Sequence, residues 1–250
     1  MKYYFQRKVA YQHVDMSRKL RLYTLENYLL EIAGEVADQM GFGIKQLYPR
    51  NLTWILTHLN LEIDYLPTHE EQLEFETWIE TNAHMLSVRD FKIYRIIEGG
   101  EKELIGRAKS VWAVLDLTSR AIVNVFDDAM FEGAIDGEVL DIERAPKLLP
   151  MDRLRATMPD AVYGEAEQQV RYSDMDYNGH CNSCKYLEMM INAAIPVLQV
   201  PLRLDINYQK EIGLGAHVRV LYAVTEHETQ YRIVDEEGHT SAAARIATKG

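Results

Sequence analysis

Three polar residues at alternating positions, Asp176, Asn178 and His180, stand within "SDMDYNGHCNSCKYLE" (173–188). In an extended turn, alternate positions can direct such side chains to one side of the chain. A carboxylate placed there can activate water or attack directly, while an imidazole and an amide orient it and hold charge. A following helix would offer free N–H groups and the positive end of its dipole to a carbonyl. This chemistry suits a thioester, whose carbonyl is activated and whose sulfur leaves easily.

The same stretch allows three other interpretations. His180, Cys181, Cys184 and Asp176 could ligate a metal, but structural zinc sites usually draw on two separated ligand pairs, and the sequence has no second pair. A C-x-x-C can be a redox motif, but that motif belongs to a parallel βαβ setting, whereas the strands predicted below are antiparallel. "DYNG" is also good turn chemistry, with Asn178 as a helix cap, although this leaves His180 unexplained. We expect no metal.

Composition narrows the class of protein. A chain of 250 residues makes one large domain or two ordinary ones, and a net charge of −11 argues against general nucleic-acid binding. Two cysteines three residues apart provide no disulfide framework. "MKYYFQRKVAY" lacks the apolar region of a signal peptide, and no apolar run reaches the length of a membrane span. We therefore expect a cytoplasmic protein with no nucleic-acid or membrane partner.

The first half predicts one long helix followed by strands. Apolar residues recur at three- and four-residue steps over residues 19–40, with Asp15 or Ser17 as a candidate cap and Gly41 and Gly43 as the end. The period then changes to two, which predicts strands in "THLNLEIDYLP", "QLEFETWIE", "LSVRDFKIYRII" and "ELIGRAKSVWAVLDL". Short turns between them indicate an antiparallel sheet.

The second half repeats this order. A helix is predicted over 181–195, followed by strands in "LRLDINYQK", "HVRVLYAVT", "TQYRIVD" and "HTSAAARIAT". "YQHVDMS" (11–17) also aligns with "YSDMDYN" (172–178). The pattern indicates an α+β protein with two domains, 1–140 and 161–250, each a sheet wrapped around a central helix. The polar stretch 141–160 reads as a connector between them.

The chain resembles the acyl-acyl-carrier-protein thioesterases. "RYSDMDYNGHCNSCKY" (171–186) matches the Asp-x-Asn-x-His phrase of that family, and "YQKEIG" (208–213) matches a second phrase; "DYLPTHEEQLEFETW" and "GRAKSVWAVLD" are also similar. The resemblance implies tandem hotdog domains, each an antiparallel sheet around a long central helix. It implies hydrolysis of fatty acyl-acyl carrier protein without a cofactor. It assigns catalysis to Asp176, Asn178, His180 and Glu211, and it excludes a cysteine nucleophile beside Glu211, because Ile212 occupies that position.

The first domain keeps Asp15 but has Ser17 and Lys19 where the second has Asn178 and His180. It therefore lacks the chemistry, and the resemblance implies that it shapes the acyl tunnel. The residues that we expect to line this tunnel, each also a candidate for plain core, are Leu22, Leu25, Leu29, Leu59, Leu61, Phe75 and Trp112.

Glu211 receives two conflicting predictions. Strand alternation places it opposite Leu204, Ile206 and Tyr208, which would send its side chain to solvent. The family resemblance places the same side chain in the catalytic site, and a bulge or strand end near Gly213 could redirect it.

The resemblance names acyl carrier protein, which is acidic, as the partner, so a local basic patch is needed. The basic stretches contain Arg7, Lys8, Arg18, Lys19 and Arg21, and Arg144, Lys147, Arg153 and Arg155. Alternatives are a hotdog thioesterase acting on acyl-coenzyme A, a hotdog dehydratase, which should lack Asp-x-Asn-x-His, or a non-catalytic acyl-binding protein, which should lack the acid. A homodimer stays open.

Overall fold

The computed structural model describes residues 1–143, 145–196 and 198–249. The chain divides into two compact units, Met1–Glu143 and Arg144–Gly250, here called the N-terminal and C-terminal units. Each unit contains an antiparallel sheet and one helix of three or more turns, which is the α+β class expected from the sequence. No helix among the described residues has the length and apolar composition needed to cross a membrane.

The N-terminal unit begins with an edge strand and then presents its long helix. Its strands are β1 (Tyr3–Lys8), β2 (Leu52–Ile63), β3 (Gln72–Ala83), β4 (Leu86–Ile96), β5 (Lys102–Asp116) and β6 (Ile122–Val123), and its α-helices are α1 (Leu22–Gln39) and α2 (Ile44–Leu47). Short 3₁₀ turns cover Tyr11–His13, Tyr48–Arg50, Glu98–Gly100 and Ala129–Phe131. The sheet order is β1-β3-β4-β5-β2, with β6 on β5, and all pairs are antiparallel.

Helix α1 lies on one face of this sheet, here called the inner face. Tyr28 of α1 contacts Phe75 of β3 edge to face, with ring centroids 6.0 Å apart. The apolar stripe predicted for the helix is buried, including Leu25, Leu29 and Ile32. Burial of this stripe, rather than intrinsic propensity, stabilises a helix of this length.

The predicted cap of α1 is wrong. Arg21 is the N-cap and makes no side-chain cap hydrogen bond. Asp15 lies in the preceding loop, where its Oδ1 accepts the N–H groups of Ser17 (2.8 Å) and Lys19 (3.1 Å). These bonds close the loop, so the helix begins at Leu22 instead of residue 19.

The C-terminal unit repeats the arrangement with a shorter helix. Its elements are α3 (Met151–Thr157), β7 (Val162–Gln169), a 3₁₀ turn (Tyr172–Asp174), α4 (Ser183–Ala193), β8 (Leu202–Tyr208), β9 (His217–Val224), β10 (Glu228–Asp235) and β11 (Thr240–Thr248). The sheet order is β8-β11-β10-β9-β7, again antiparallel throughout. Helix α4 packs on β7, β9 and β10. The stretch predicted as a connector includes α3, whose Leu154 is buried.

Candidate active site

Asp176 lies in a tight loop whose ends, Met175 and Cys181, are joined by an isolated antiparallel β-bridge. Its Oδ1 accepts the N–H groups of Asn178 (2.8 Å) and His180 (3.2 Å). Its own N–H donates to the carbonyl of His180 at 2.8 Å. Gly179 sits at φ +79°, which a glycine adopts without strain. The alternating residues of the motif are therefore fixed by backbone hydrogen bonds to one carboxylate.

Glu211 lies beside His180, as the family resemblance predicts. The distance from His180 Nε2 to Glu211 Oε2 is 3.5 Å. Both side chains are partly open to solvent, at 28% and 37% exposure. The imidazole and the carboxylate thus face each other at a surface where a substrate can reach them.

Strand alternation correctly predicts that Glu211 is exposed, but it does not predict the place of this side chain beside His180, because β8 ends before Glu211, at Tyr208. After that residue the N–H groups of Gln209 and Lys210 both donate to the carbonyl of Ser241, at 2.8 and 3.1 Å. Two donors on one acceptor break the regular ladder, as in a bulge. The chain then approaches the motif, and the N–H of Cys181 donates to the carbonyl of Ile212 at 2.8 Å. This hydrogen bond brings Glu211 next to His180.

The side chain of Asn178 has a buried oxygen without a donor among the described residues. Its Oδ1 is buried and accepts no hydrogen bond from the part of the chain that the structure describes. A buried amide oxygen normally has a partner, so an atom in this state at a candidate site is suited to a ligand.

Helix α4 begins directly after the loop. Asn182 is its N-cap, with Oδ1 accepting the N–H of Cys184 at 3.0 Å, so the prediction that Asn178 caps the helix is wrong. Tyr186 of α4 donates its hydroxyl to the carbonyl of Lys210 at 3.1 Å, which ties the helix to the Glu211 segment. The positive end of the helix dipole therefore lies next to the motif.

The two cysteines are buried and are not joined in a disulfide. Burial, with the nearby carboxylates of Asp174 and Asp176, raises the pKa of Cys181 to about 12. A thiolate is the form that binds metals and attacks substrates, and this pKa keeps the thiol protonated near neutral pH. Cys181 is therefore unsuited to act as a free thiolate near neutral pH, and the absence of a metal stays a prediction. Among the described residues, Asp235, Glu237 and His239 place ligand atoms within 4.8 Å of one another, in a turn that shares no residue with the motif.

The N-terminal unit contains a loop with the same backbone. Val14 and Leu20 form the matching bridge, and Asp15 accepts the N–H groups of Ser17 and Lys19. The ammonium of Lys19 lies 5.1 Å from the centre of the Tyr65 ring. No histidine or facing carboxylate takes part in these contacts.

The predicted acyl-tunnel residues lie in the core of the N-terminal unit. All except Trp112, which is partly exposed, are fully or almost fully buried: Leu22, Leu25, Leu29, Leu59, Leu61 and Phe75. The register of β3, β4, β5 and β2 puts Leu59, Leu61 and Trp112 on the same face as Phe75, which is the inner face. Their location fits both a tunnel lining and plain core, so the tunnel stays a prediction.

Several cations of the predicted basic stretches have partners within the chain, and two of them are paired with carboxylates. Arg7 pairs with Glu35, and Lys8 Nζ lies 2.5 Å from Glu70 Oε2. Arg21 donates to the carbonyl of Gln12 at 2.6 Å, and Arg155 stacks over Tyr163 at 4.5 Å. Arg144 lies outside the described residues.

Comparison with known proteins identifies the family of this chain. Residues 1–132 match the family model of the acyl-ACP thioesterase N-terminal domain, and residues 158–249 match that of the C-terminal domain. A chloroplastic palmitoyl-acyl carrier protein thioesterase of Arabidopsis thaliana is 25% identical over 226 residues, covering 85% of this chain and 52% of its own. A chloroplastic oleoyl-acyl carrier protein thioesterase of Coriandrum sativum is 22% identical, covering 92% and 65%. The chain thus spans about half the length of several curated relatives that it matches.

Solved structures show the same fold over the whole chain. An acyl-ACP thioesterase from Bacteroides thetaiotaomicron superposes with a TM-score of 0.81 and 28% identity, covering 98% of this chain and 97% of its own. A 12:0-ACP thioesterase from Umbellularia californica gives a TM-score of 0.78 at 20% identity, covering 98% and 96%.

Proposed function

Because the chain belongs to the acyl-ACP thioesterase family, we propose that it hydrolyses the thioester of a fatty acyl group carried by acyl carrier protein. The products are a free fatty acid and the thiol of the carrier. The observation that carries the proposal is the meeting of His180 Nε2 and Glu211 Oε2 at 3.5 Å, beside the loop that Asp176 closes.

The residues of this site have separate roles in the proposal. The Glu211 carboxylate orients the His180 ring and stabilises its protonated form, which suits the pair to proton transfer. Asp176 either attacks the carbonyl carbon or activates water, and its orientation is held by the N–H groups of Asn178 and His180. The buried amide of Asn178 hydrogen-bonds the substrate. The start of α4 stabilises negative charge on the carbonyl oxygen.

The fold supports an arrangement of two hotdog domains in this proposal. Each unit has an antiparallel sheet with a helix on it, and the two family models cover one unit each. The C-terminal unit carries the chemistry, and the inner face of the N-terminal unit receives the acyl chain. A cytoplasmic location and a homodimer remain predictions.

Thiol release from matched thioesters tests the activity and the partner together. We expect faster release from an acyl-acyl carrier protein than from the coenzyme A ester of the same acyl group. The difference should shrink with added salt, because charge steering is screened over roughly 8–10 Å at physiological ionic strength. Equal rates at all salt concentrations would favour the acyl-coenzyme A alternative, and no release from either class would contradict the proposal.

A further inference from the structure

Arg89 of β4 is a buried cation with few hydrogen-bond partners and no ion-pair partner among the described residues. The residue is only 4% exposed. Among the residues that the structure describes, its side chain makes one hydrogen bond, from Nη1 to the hydroxyl oxygen of Thr77 at 3.4 Å, which is longer than a normal N–H to oxygen bond. Within the described part of the chain, no carboxylate lies within ion-pair distance of this guanidinium.

The position of Arg89 is on the inner face of the N-terminal sheet. The register pairs it with Ile79 of β3 and Ser110 of β5. Phe75, which contacts α1, and Phe91 share this face by strand alternation. The guanidinium therefore borders the apolar surface that lies under α1.

A small polar patch surrounds the guanidinium. Thr77, Ser87 and Ser110 are all buried on this face, and Trp112 donates its indole N–H to Ser110 Oγ at 2.8 Å. The Thr77 hydroxyl is already directed to the carbonyl of Asp90 at 2.8 Å. Trp112, partly exposed, lies at the end of the patch nearest to solvent. Polar side chains are thus gathered at one end of an otherwise apolar face.

The energetics of Arg89 favour an anionic ligand. Burying a charge is unfavourable unless the charge is paired and hydrogen-bonded. Burial lowers the pKa of Arg89 to about 10, which still leaves it protonated near neutral pH. A guanidinium presents parallel N–H groups that match the two oxygens of a carboxylate.

We propose that the inner face of the N-terminal unit binds a fatty carboxylate, with its charged end on Arg89 and its chain along the face of Phe75 and Phe91. The choice of a fatty chain rests on the proposed function. Two sources share this chemistry. The carboxylate is either that of a free fatty acid, such as the product, or the distal carboxylate of an acyl group that carries one at its far end.

The first test measures binding without turnover. Decanoate and 1-decanol are titrated by calorimetry into the wild type, Arg89→Met, Arg89→Lys and Arg107→Met. Arg107 is the matched control, because it lies on β5 one residue from the partner of Phe91 and points to the opposite face. We expect the wild type and Arg107→Met to bind decanoate at least tenfold more tightly than decanol. Arg89→Met should lose this difference, and Arg89→Lys should keep part of it.

Thermal unfolding separates a ligand site from a structural role. Removing an uncompensated buried charge should leave the ligand-free Arg89→Met protein as stable as the wild type or more stable. A lower melting temperature together with unchanged decanoate affinity would overturn the proposal. If Arg89→Met does not fold, unchanged discrimination between decanoate and decanol in Arg89→Lys would overturn it as well.

A second pair of assays identifies the source. If the ligand is the free acid, Arg89→Met should weaken inhibition of thiol release by added decanoate. If it is a distal carboxylate, the variant should lower kcat/KM for an ω-carboxyacyl thioester relative to the plain acyl thioester. If Arg89→Met leaves decanoate binding, inhibition and kcat/KM all unchanged, the inference is contradicted. Binding of decanoate by a protein that releases no thiol would instead contradict only the proposed hydrolysis.

Discussion

The loops that precede α1 and α4 have the same backbone and different side chains. Asp15 and Asp176 each accept two N–H groups, and each donates its own N–H to the carbonyl four residues on, at 2.9 and 2.8 Å. Each loop also has a residue in the left-handed region, Arg18 at φ +64° and Gly179 at φ +79°. The shared aspartate is therefore a structural requirement of the loop, and its presence alone does not mark a catalytic site.

What separates the loops is the set of groups around this carboxylate. The N–H of Leu20 donates to Pro67 at 2.7 Å, as Cys181 donates to Ile212. The residue before the accepting carbonyl is buried Leu66 in one unit and Glu211 in the other. The substitutions at the other matched positions are Ser17 for Asn178 and Lys19 for His180. Repetition of a backbone thus preserves the frame, and a few side chains decide where chemistry occurs.

Exchanging the loop residues should have the largest effect. Replacing Asn178, Gly179 and His180 by the Ser, Arg and Lys of the N-terminal loop should reduce thiol release by ~10³-fold or more, since a lost acid or base alone accounts for about 10²–10⁴-fold. The fold should persist, because the N-terminal loop tolerates these residues in the same backbone. Circular dichroism checks the fold, and steady-state thiol release measures the loss.

The reverse exchange is the control. Ser17→Asn, Arg18→Gly and Lys19→His together should leave the rate within a few-fold, because Leu66 supplies no acid to the new histidine. A large loss in this variant, or none in the forward exchange, would contradict the assignment of chemistry to one unit.

Glu211→Gln should have the next largest effect. The amide keeps the shape of the side chain but cannot hold a proton or stabilise charge on His180, so kcat should fall by about 10²-fold or more. The pH dependence of kcat/KM should also change, since the carboxylate that faces His180 would be gone. Wild-type rates with an unshifted profile would leave Asp176, Asn178 and His180 to act without Glu211.

The cysteines should matter little for the rate. Cys181→Ser with Cys184→Ser should retain substantial activity, because the raised pKa of Cys181 keeps its thiol protonated near neutral pH. Some loss of stability is expected, since both side chains are buried. Activity of the wild type is measured with and without a chelator. Loss of activity on chelation, with zinc recovered at one per chain, would restore the metal interpretation.

The smallest effect concerns an acid of the N-terminal unit that serves stability. Asp90 is buried, and its Oδ2 accepts the N–H of Leu140 at 3.1 Å. Burial and the nearby Glu80 raise the pKa of Asp90 to about 7, against the opposing charge of Lys109. The folded protein then holds a proton that the unfolded chain releases near pH 4, so the free energy of unfolding should fall as pH rises from about 4 to about 7.

Asp90→Asn mimics the protonated acid and should flatten this part of the profile. Urea denaturation at about pH 5 and about pH 8 measures the difference, with the wild type losing more stability than the variant between them. Equal losses of stability in both proteins would contradict the assignment of this pH dependence to Asp90.

The sequence predicts the two long helices, α1 and α4, the main strands and the motif, because these follow from local periodicity and residue type. Helix α1 begins three residues later than predicted since Asp15 closes a loop rather than capping a helix. Strands β1 and β7 were not predicted, because "YYFQRK" and "VYGEAEQQ" are polar edge strands whose side chains alternate between partial and full exposure. Edge strands need less apolar surface, so their periodic signal is weak.

The position of Glu211 could not be obtained from strand alternation. It depends on the end of β8 at Tyr208 and on the hydrogen bond from Cys181 to Ile212, which joins segments distant in sequence. The family resemblance predicted that Glu211 lies in the site, but it did not predict the strand end and the hydrogen bond that place it there. Arg89 was not singled out by the sequence at all, because its isolation becomes visible only when its neighbours in space are known.

Thiol release by Asp176→Asn and Asp15→Asn, measured side by side on one acyl-acyl carrier protein, tests the central claim most directly. Each variant replaces a carboxylate that closes the equivalent loop of its unit, so the free energy of unfolding should fall by about 1 kcal/mol in both. Asp176→Asn should abolish hydrolysis, whereas Asp15→Asn should stay within a few-fold of the wild type. Equal loss of activity in the two variants, at equal stability, would contradict the account that only the C-terminal unit carries the chemistry.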